Sequence, residues 1–428
     1  SVMIDNKNSS IKLRITGRKG SKSFNVIESR KKVSVFENEN STSFYGNVNR
    51  LRTHLSNDSL NTATIPGNLF NVIAPLLTGG YNIDDGILLG AGFNYYRDID
   101  YSLPSFSLKR HSSAQRFTVM HSFSTNAFSV HYSGEWLKAL GKADLTMNAN
   151  ALAPDNTQNY FGTGNETNFD KTGDYKKFYR TRFSFYDLAP AIRWGNKKGT
   201  FISIGPSFQY YHFDSARNKG RVIENTSLIQ SYDSATVGKS KAHGGFIIDF
   251  VNDRRSNNLL PQWGSYFNLK ISGYAGLNHY SKSFTQVSTD IALYKSINAK
   301  SSIILAERLG GVAILGNSAF YQSAFLGGQG NLLGFRKYRF AGQYSLYNNL
   351  ELRIRLANFA SYILPGEFGL IGLYDVGRVW VKNDHSRLWH NGYGGGFYFA
   401  PAQMMVVRAV VANSKEGLYP SIDVGFRF

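Results

Sequence analysis

The sequence predicts an all-β protein: a 16-stranded antiparallel transmembrane β-barrel over residues 69–428, behind a short periplasmic β-rich segment, residues 1–68. Three observations predict it. Hydrophobicity alternates with a period of two along almost the whole chain. The alternating segments run for about ten residues, the length that crosses a bilayer at a barrel's tilt. The links between them alternate between long and short.

Composition narrows the classes. The 428 residues include 42 Gly, 31 Phe, 26 Tyr and no Cys, with aromatics at 14%. Without Cys there is no disulfide scaffold, thiolate metal site or cysteine nucleophile. No apolar run reaches the roughly 18 residues of a transmembrane helix. A chain that is 42% hydrophobic is too apolar for intrinsic disorder. Net charge is +19, yet the basic residues are spread along the chain, and no helix-turn-helix, zinc finger or RNA-binding signature accompanies them. No nucleic-acid partner is expected; anionic lipid headgroups suit the charge better. Ser1 follows no Met and no apolar signal core, so a processed leader or a larger N-terminal part is expected.

Residues 1–68 are polar and basic, with β-like pieces at Ile11–Ile15 and Ser23–Ile27 and a linker at Ser56–Thr64. Sixteen strands follow, at 69–79, 85–96, 115–124, 127–138, 142–152, 178–194, 199–213, 241–252, 264–276, 284–296, 300–314, 344–357, 367–381, 390–400, 403–412 and 418–428. Phe128, Val130, Tyr132, Gly134 and Trp136 alternate with Ser129, His131, Ser133 and Glu135. Leu346, Asn348, Leu350, Leu352, Ile354 and Leu356 alternate with Tyr347, Asn349, Glu351, Arg353 and Arg355, which puts the charges on one face. At the chain end Ile422, Val424, Phe426 and Phe428 form one apolar face. The long links, 153–177, 214–240 and 315–343, all follow odd-numbered strands, as they would if strand 1 started in the periplasm. Links 97–114 and 253–263 depart from that rule.

A soluble sandwich or propeller would show the same periodicity. The terminal Phe and the placement of Trp136, Trp194, Trp263, Trp380 and Trp389 at strand ends favour interfacial girdles and hence a membrane barrel. Pro75 in the first strand and Pro420 in the last cannot donate to a ladder, so a short barrel seam is expected there, with Phe426 and Phe428 on its last strand. Pro190 and Pro206 sit in interior strands, so proline is not unique to the seam, and bulges are the alternative account of all four. His121 and His131 could face each other across a hairpin, but no carboxylate lies at ligand spacing. No cofactor, metal site or catalytic group is expected. Glu135, Glu351, Arg353, Arg355, Arg408, Asp423 and Arg427 read as a solvated ion-pair network in the lumen.

Residues 326–356, LGGQGNLLGFRKYRFAGQYSLYNNLELRIRL, resemble the sixth external loop and following strand of the BamA/TamA-like outer-membrane family, the bacterial surface-antigen barrels. The matching positions are Gly327, Gly328, Gly334, Phe335, Asn349, Glu351 and Arg353. Leu373–Gly377 resembles the family's Phe-x-Asp-x-Gly strand, with Asp375 as its acid. Asp249, Asn252, Asp253, Arg254, Pro261 and Gly264 resemble a family hairpin, and Tyr160–Thr167 resembles a loop of such barrels. The resemblance spans roughly 150–428 and also implies sixteen strands. One position departs: the family's loop arginine, which pairs with an acid of the lumen wall, is Leu333 here. Arg336 or Arg339 is expected to substitute by pairing with Asp375 or Glu351; apolar packing of Leu332, Leu333 and Phe335 is the alternative.

The resemblance implies a barrel of the bacterial outer membrane that assembles, inserts or translocates proteins, with lipids, lipopolysaccharide and client or envelope proteins as partners. In the family the seam opens sideways to template a client strand. Residues 1–68 are too few for several of the family's periplasmic POTRA repeats. Two further readings stay open: a barrel that anchors or exports a fused or associated soluble enzyme, and an accessory or passive pore. Residues 11–26 resemble, over a short stretch, the connector that precedes the barrel in metallophosphoesterase-linked relatives.

Overall fold

The computed structural model describes residues 1–8, 13–17, 20–57, 69–100, 111–195, 199–359, 365–382, 384–402 and 405–428. It divides into two compact units, an N-terminal one and the barrel.

In the N-terminal unit two three-stranded sheets run parallel. Val2–Asn6, Lys22–Ser29 and Thr42–Gly46 form one; Arg14–Thr16, Val33–Glu37 and Leu51–Leu55 form the other. The chain passes from sheet to sheet, so successive strands of one sheet recur at a near-constant step. Ile4, Phe24, Val26, Val33, Val35 and Leu51 make the shared core, with Ile15 and Phe44 against it. Two expected β pieces correspond to Arg14–Thr16 and Lys22–Ser29; the other four strands were not legible. Ile11 and Lys12, and most of the expected linker, lie outside the described residues.

The second unit is a closed antiparallel barrel of sixteen strands. In order they are β1 (Leu69–Asn82), β2 (Gly86–Asp100), β3 (Ser113–Ser122), β4 (Phe128–Leu140), β5 (Ala143–Leu152), β6 (Arg180–Gly195), β7 (Thr200–Phe213), β8 (Lys241–Asp253), β9 (Gly264–Gly276), β10 (Phe284–Ser296), β11 (Ile303–Gly316), β12 (Tyr344–Phe359), β13 (Gly366–Trp380), β14 (His390–Pro401), β15 (Val407–Ser414) and β16 (Gly417–Val424). Alternation sorts the side chains. In β12, Asn349, Glu351 and Arg353 are buried, while Leu346 is exposed on the outside. Leu77, Leu89, Phe246, Leu293 and Phe397 lie on the outer face, more than half exposed. Such a continuous apolar exterior around a polar interior is the inverse of a soluble protein and matches a lipid-facing belt. Trp136, Trp194 and Trp263 lie at one end of the strands, and Trp380 and Trp389 at the other, their rings 5.8 Å apart.

Pro190 and Pro206 produce no bulge. The β6–β7 ladder is interrupted between Leu188↔Phe208 and Ile192↔Ile204 and resumes in the same register. Each proline lacks a donor, and the gap absorbs both. His121 and His131 do not face each other: His121 sits opposite Phe128 and His131 opposite Thr118.

The three long links emerge at one end and fold together. Tyr160 from 153–179, Ile223, Ile229 and Val237 from 214–240, and Phe320 and Ala341 from 317–343 share one core with Phe183 and Tyr211 of the wall. Backbone bonds join them: Thr163 N–H donates to Ile229 (3.1 Å) and Gly164 N–H to Ala341 (2.8 Å). Asp233, fully buried, accepts from the Phe320 N–H (3.1 Å) and pairs with Lys241 (3.1 Å). The loops thus form a cap with its own core and its own satisfied charges.

Candidate functional site

The third long link, 317–343, is the plug loop: it enters the barrel and lies against the wall. Gly327, Gly328 and Gly334 hold positive φ (121°, 81° and 84°), conformations that side-chain-bearing residues rarely adopt. They fold the segment back on itself, and a Cβ on Gly327 would lie 2.2 Å from the Arg336 carbonyl oxygen. Leu326, Leu332, Phe335 and Phe340 bury against Tyr347 and Val379. Leu333 enters a second cluster with Ile371, Leu373, Tyr398 and Val410 of the wall. The expected apolar seating of Leu332, Leu333 and Phe335 is therefore one of two devices that fix the loop.

The other is polar and gathers at the loop's tip. Asp375 on β13, fully buried, accepts the Leu333 N–H at 2.7 Å. Asn349 on β12 donates to the Asn331 carbonyl (2.7 Å), and Arg308 on β11 donates to that of Gly330 (2.8 Å). Gly392 on β14 leaves room for the Leu333 carbonyl, which would sit 1.9 Å from any Cβ there.

The expected pairing of Arg336 or Arg339 with Asp375 does not occur. Asp375 is held instead by Arg427, from the last residues of the chain, through two bonds of 3.0 and 2.8 Å. The loop's path explains this. Its tip meets Asp375, and by residue 336 the chain has turned to the barrel mouth. There Arg336 pairs with Asp84 in the β1–β2 turn (2.8 Å), and Arg339 pairs with Glu416 in the β15–β16 turn (2.7 Å).

The chain end is a second correction. The expected last strand, 418–428, stops at Val424. Gly425, at φ 104°, turns the tail inward, so Phe426 and Phe428 are not on the outer face of the seam. Phe426 lies under the Arg353 guanidinium (3.8 Å to the ring centre) and beside Tyr398. Phe428 lies near Tyr294 and Arg308. Arg427 also donates to the Gln329 carbonyl of the plug loop at 3.1 Å.

Around the tail lies a charge cluster. Glu351 is fully buried and meets Arg353 (2.9 Å), Arg408 (3.2 Å) and Arg427 (3.8 Å), and Arg408 also meets Asp423 (3.0 Å). These groups were expected to be solvated. Glu351, Arg353 and Arg408 are instead buried, with Phe426 of the tail against Arg353, while Asp423 stays half-buried. Guanidiniums and carboxylates so confined persist only when mutually paired. Glu135 belongs to a separate group, with Arg193 (2.8 Å) and His111 (2.7 Å). Arg355 lies 3.5 Å from Glu367.

The seam is short. Among the described residues β16 meets β1 through two register pairs, Ser421↔Asn82 and Ile422↔Tyr81, whereas β15 and β16 stay in register from Val407↔Val424 to Ser414↔Gly417. Pro420 stands next to the last paired residue. Pro75 lies further along β1, beyond the paired stretch.

The remaining motif residues support this frame. Asn165, fully buried in the Tyr160–Thr167 loop, accepts the Val379 N–H (3.1 Å) and donates to the Leu388 carbonyl (2.9 Å). It ties that loop to the β13–β14 link. Asp253 holds Arg255 (2.7 Å), and Asp249 accepts from Asn268 (2.6 Å). Arg427 is the functional residue that sequence reading misplaced: its alternation with Phe426 and Phe428 read as strand, and only Gly425 signalled a turn.

No sequence model of a known family matches the chain, and no curated protein matches it by sequence. Solved structures match its fold. BamA from Haemophilus ducreyi lacking POTRA domains 1–3 superposes with a TM-score of 0.56 at 14% identity, over 84% of this chain and 70% of that one. CdiB from Escherichia coli gives 0.51 at 10% identity, over 89% of this chain and 66% of that one. At these identities the likeness is one of fold.

Proposed function

We propose that the chain is an outer-membrane barrel of the BamA/TamA-like type that assembles, inserts or translocates client proteins, with its N-terminus in the periplasm. The observation that carries this reading is the pairing of a plug loop, seated by its Gly327-Gly328 and Gly334-Phe335 turns on Asp375, with a seam joined by two residue pairs. A barrel that served only as a conduit has no need of a weak seam. A weak seam exposes backbone donors and acceptors to a strand that could pair with them, the chemistry of edge addition. The long links at one end, with β1 starting at the other, support the orientation. Clients, outer-membrane lipids and lipopolysaccharide are the partners this role implies.

The test is depletion of the protein in its own host followed by quantitative proteomics of the outer membrane. A broad fall in barrel proteins is expected. A change confined to one protein, or none at all, would replace this reading with that of a dedicated anchor or exporter for one soluble partner.

A further inference from the structure

We propose that the plug loop is a strap that holds the seam shut, gripping both of its banks, so that the seam opens only when the loop lets go. The proposal deepens the reading above by naming what controls that seam.

The ladder at the seam is too short to account for closure. β1 and β16 share two register pairs, and Pro420 ends the pairing on one side. The loop crosses this gap. On the β1 bank, Arg336 donates to both the Asp84 carboxylate (2.8 Å) and the Ile83 carbonyl (3.3 Å). The Lys337 N–H takes the other Asp84 oxygen at 2.8 Å, so one carboxylate is held by two successive loop residues. Gln329 reaches the Tyr81 carbonyl (3.5 Å), at a residue of the seam pair itself. On the β16 bank, Arg339 donates to Glu416 at 2.7 Å, and the Ser414 hydroxyl donates to the Gly334 carbonyl. Gly334 is required here, since a Cβ would lie 2.8 Å from the Asn413 carbonyl oxygen.

Burial gives these contacts their force. Asp84, Arg336 and Arg339 are each less than a tenth exposed, as is the Glu416 side chain. If β16 swung away from β1 with the loop in place, Asp84 or Glu416 would part from its arginine and leave charges buried and unpaired. Breaking one side of a buried pair costs far more than the pair contributes when intact. The low-energy route is withdrawal of the strap as a unit, which exposes all four groups to water together. Arg427 adds a third hold, because it joins the β16 tail to the loop at Gln329.

The experiment uses the full chain in lipid vesicles. The protein has no Cys, so a Tyr81→Cys/Ile422→Cys pair, placed at register partners, reports only on the seam. Adding Arg336→Glu and Arg339→Glu is expected to lower the disulfide yield about fivefold, the effect of shifting an equilibrium by one modest interaction. Adding Asp84→Arg and Glu416→Arg on top restores the pairs with their signs exchanged and is expected to recover the yield. Heat-modifiable migration on a gel verifies a folded barrel in each variant. If the reversed variant does not fold, Asp84→Asn/Glu416→Gln is read in the same way. An undiminished yield in a folded reversed or neutralised variant overturns the proposal, and so does a charge exchange that fails to restore it. The readout needs no client, so it succeeds or fails independently of the proposed function.

Discussion

Arg427 brings together the two halves of the site. Its guanidinium spans Asp375 on the wall and Gln329 on the plug loop, and its backbone continues the seam strand. Removing it leaves the buried Asp375 carboxylate without a cation, while Glu351 keeps Arg353 and Arg408. Arg427→Ala is expected to destabilise the barrel by about 3–5 kcal/mol, the usual result of breaking a buried pair from one side. Arg427→Gln combined with Asp375→Asn removes both charges and is expected to cost less than Arg427→Ala alone. The temperature at which each variant loses its folded gel mobility measures this, and equal or larger loss in the double variant would show that the pair is not the source. The acid of this pair was legible at Asp375, from the resemblance of its strand. The base was not: with Leu333 at the motif position, chain proximity pointed to Arg336 and Arg339, and the true partner lies 52 residues away along the chain.

At the scale of elements, the plug loop is held by fit as much as by charge. Gly392 on β14 faces the Leu333 carbonyl with no room for a side chain. Gly392→Val is expected to unseat the loop tip from Asp375 while leaving the β13–β14 and β14–β15 ladders intact. Planar-bilayer recordings check this: the parent should conduct little, and the variant markedly more. Equal conductance would mean that the loop does not occlude the lumen. Strand existence was legible almost throughout, because outward apolar and inward polar residues alternate at every crossing. Strand ends were less so. Alternation continues past Val424, and only the positive φ of Gly425 diverts the tail inward, where Arg353 and Tyr398 receive Phe426.

At the scale of the whole molecule, the two units have separate cores. Phe24 is fully buried between the parallel sheets of the N-terminal unit. Phe24→Ala is expected to destabilise that unit by about 3–5 kcal/mol and to leave the barrel's heat-modifiable migration unchanged. Limited proteolysis should then cut within residues 1–55 and spare the barrel. Cleavage of both to the same degree would mean that they fold as one. The repeating step of the N-terminal strands left a faint trace in the sequence, with Phe24, Val26 and Phe44 in one register and Ile15, Val33, Val35 and Leu51 in the other. The segments are short, and the polar turns between them mask the period.

By itself the sequence determined the number of strands, the alternation of their faces, the three long links at one end and the glycines that let a loop fold tightly. These follow from local physics: a period of two, a bilayer's thickness and the sterics of positive φ. Only the tertiary structure decided which arginine meets which acid, that the tail turns inward and that the loop bridges the two sides of the seam. Those pairings are set by where a closed barrel brings distant segments together, and a buried carboxylate accepts whichever guanidinium the closed wall delivers to it.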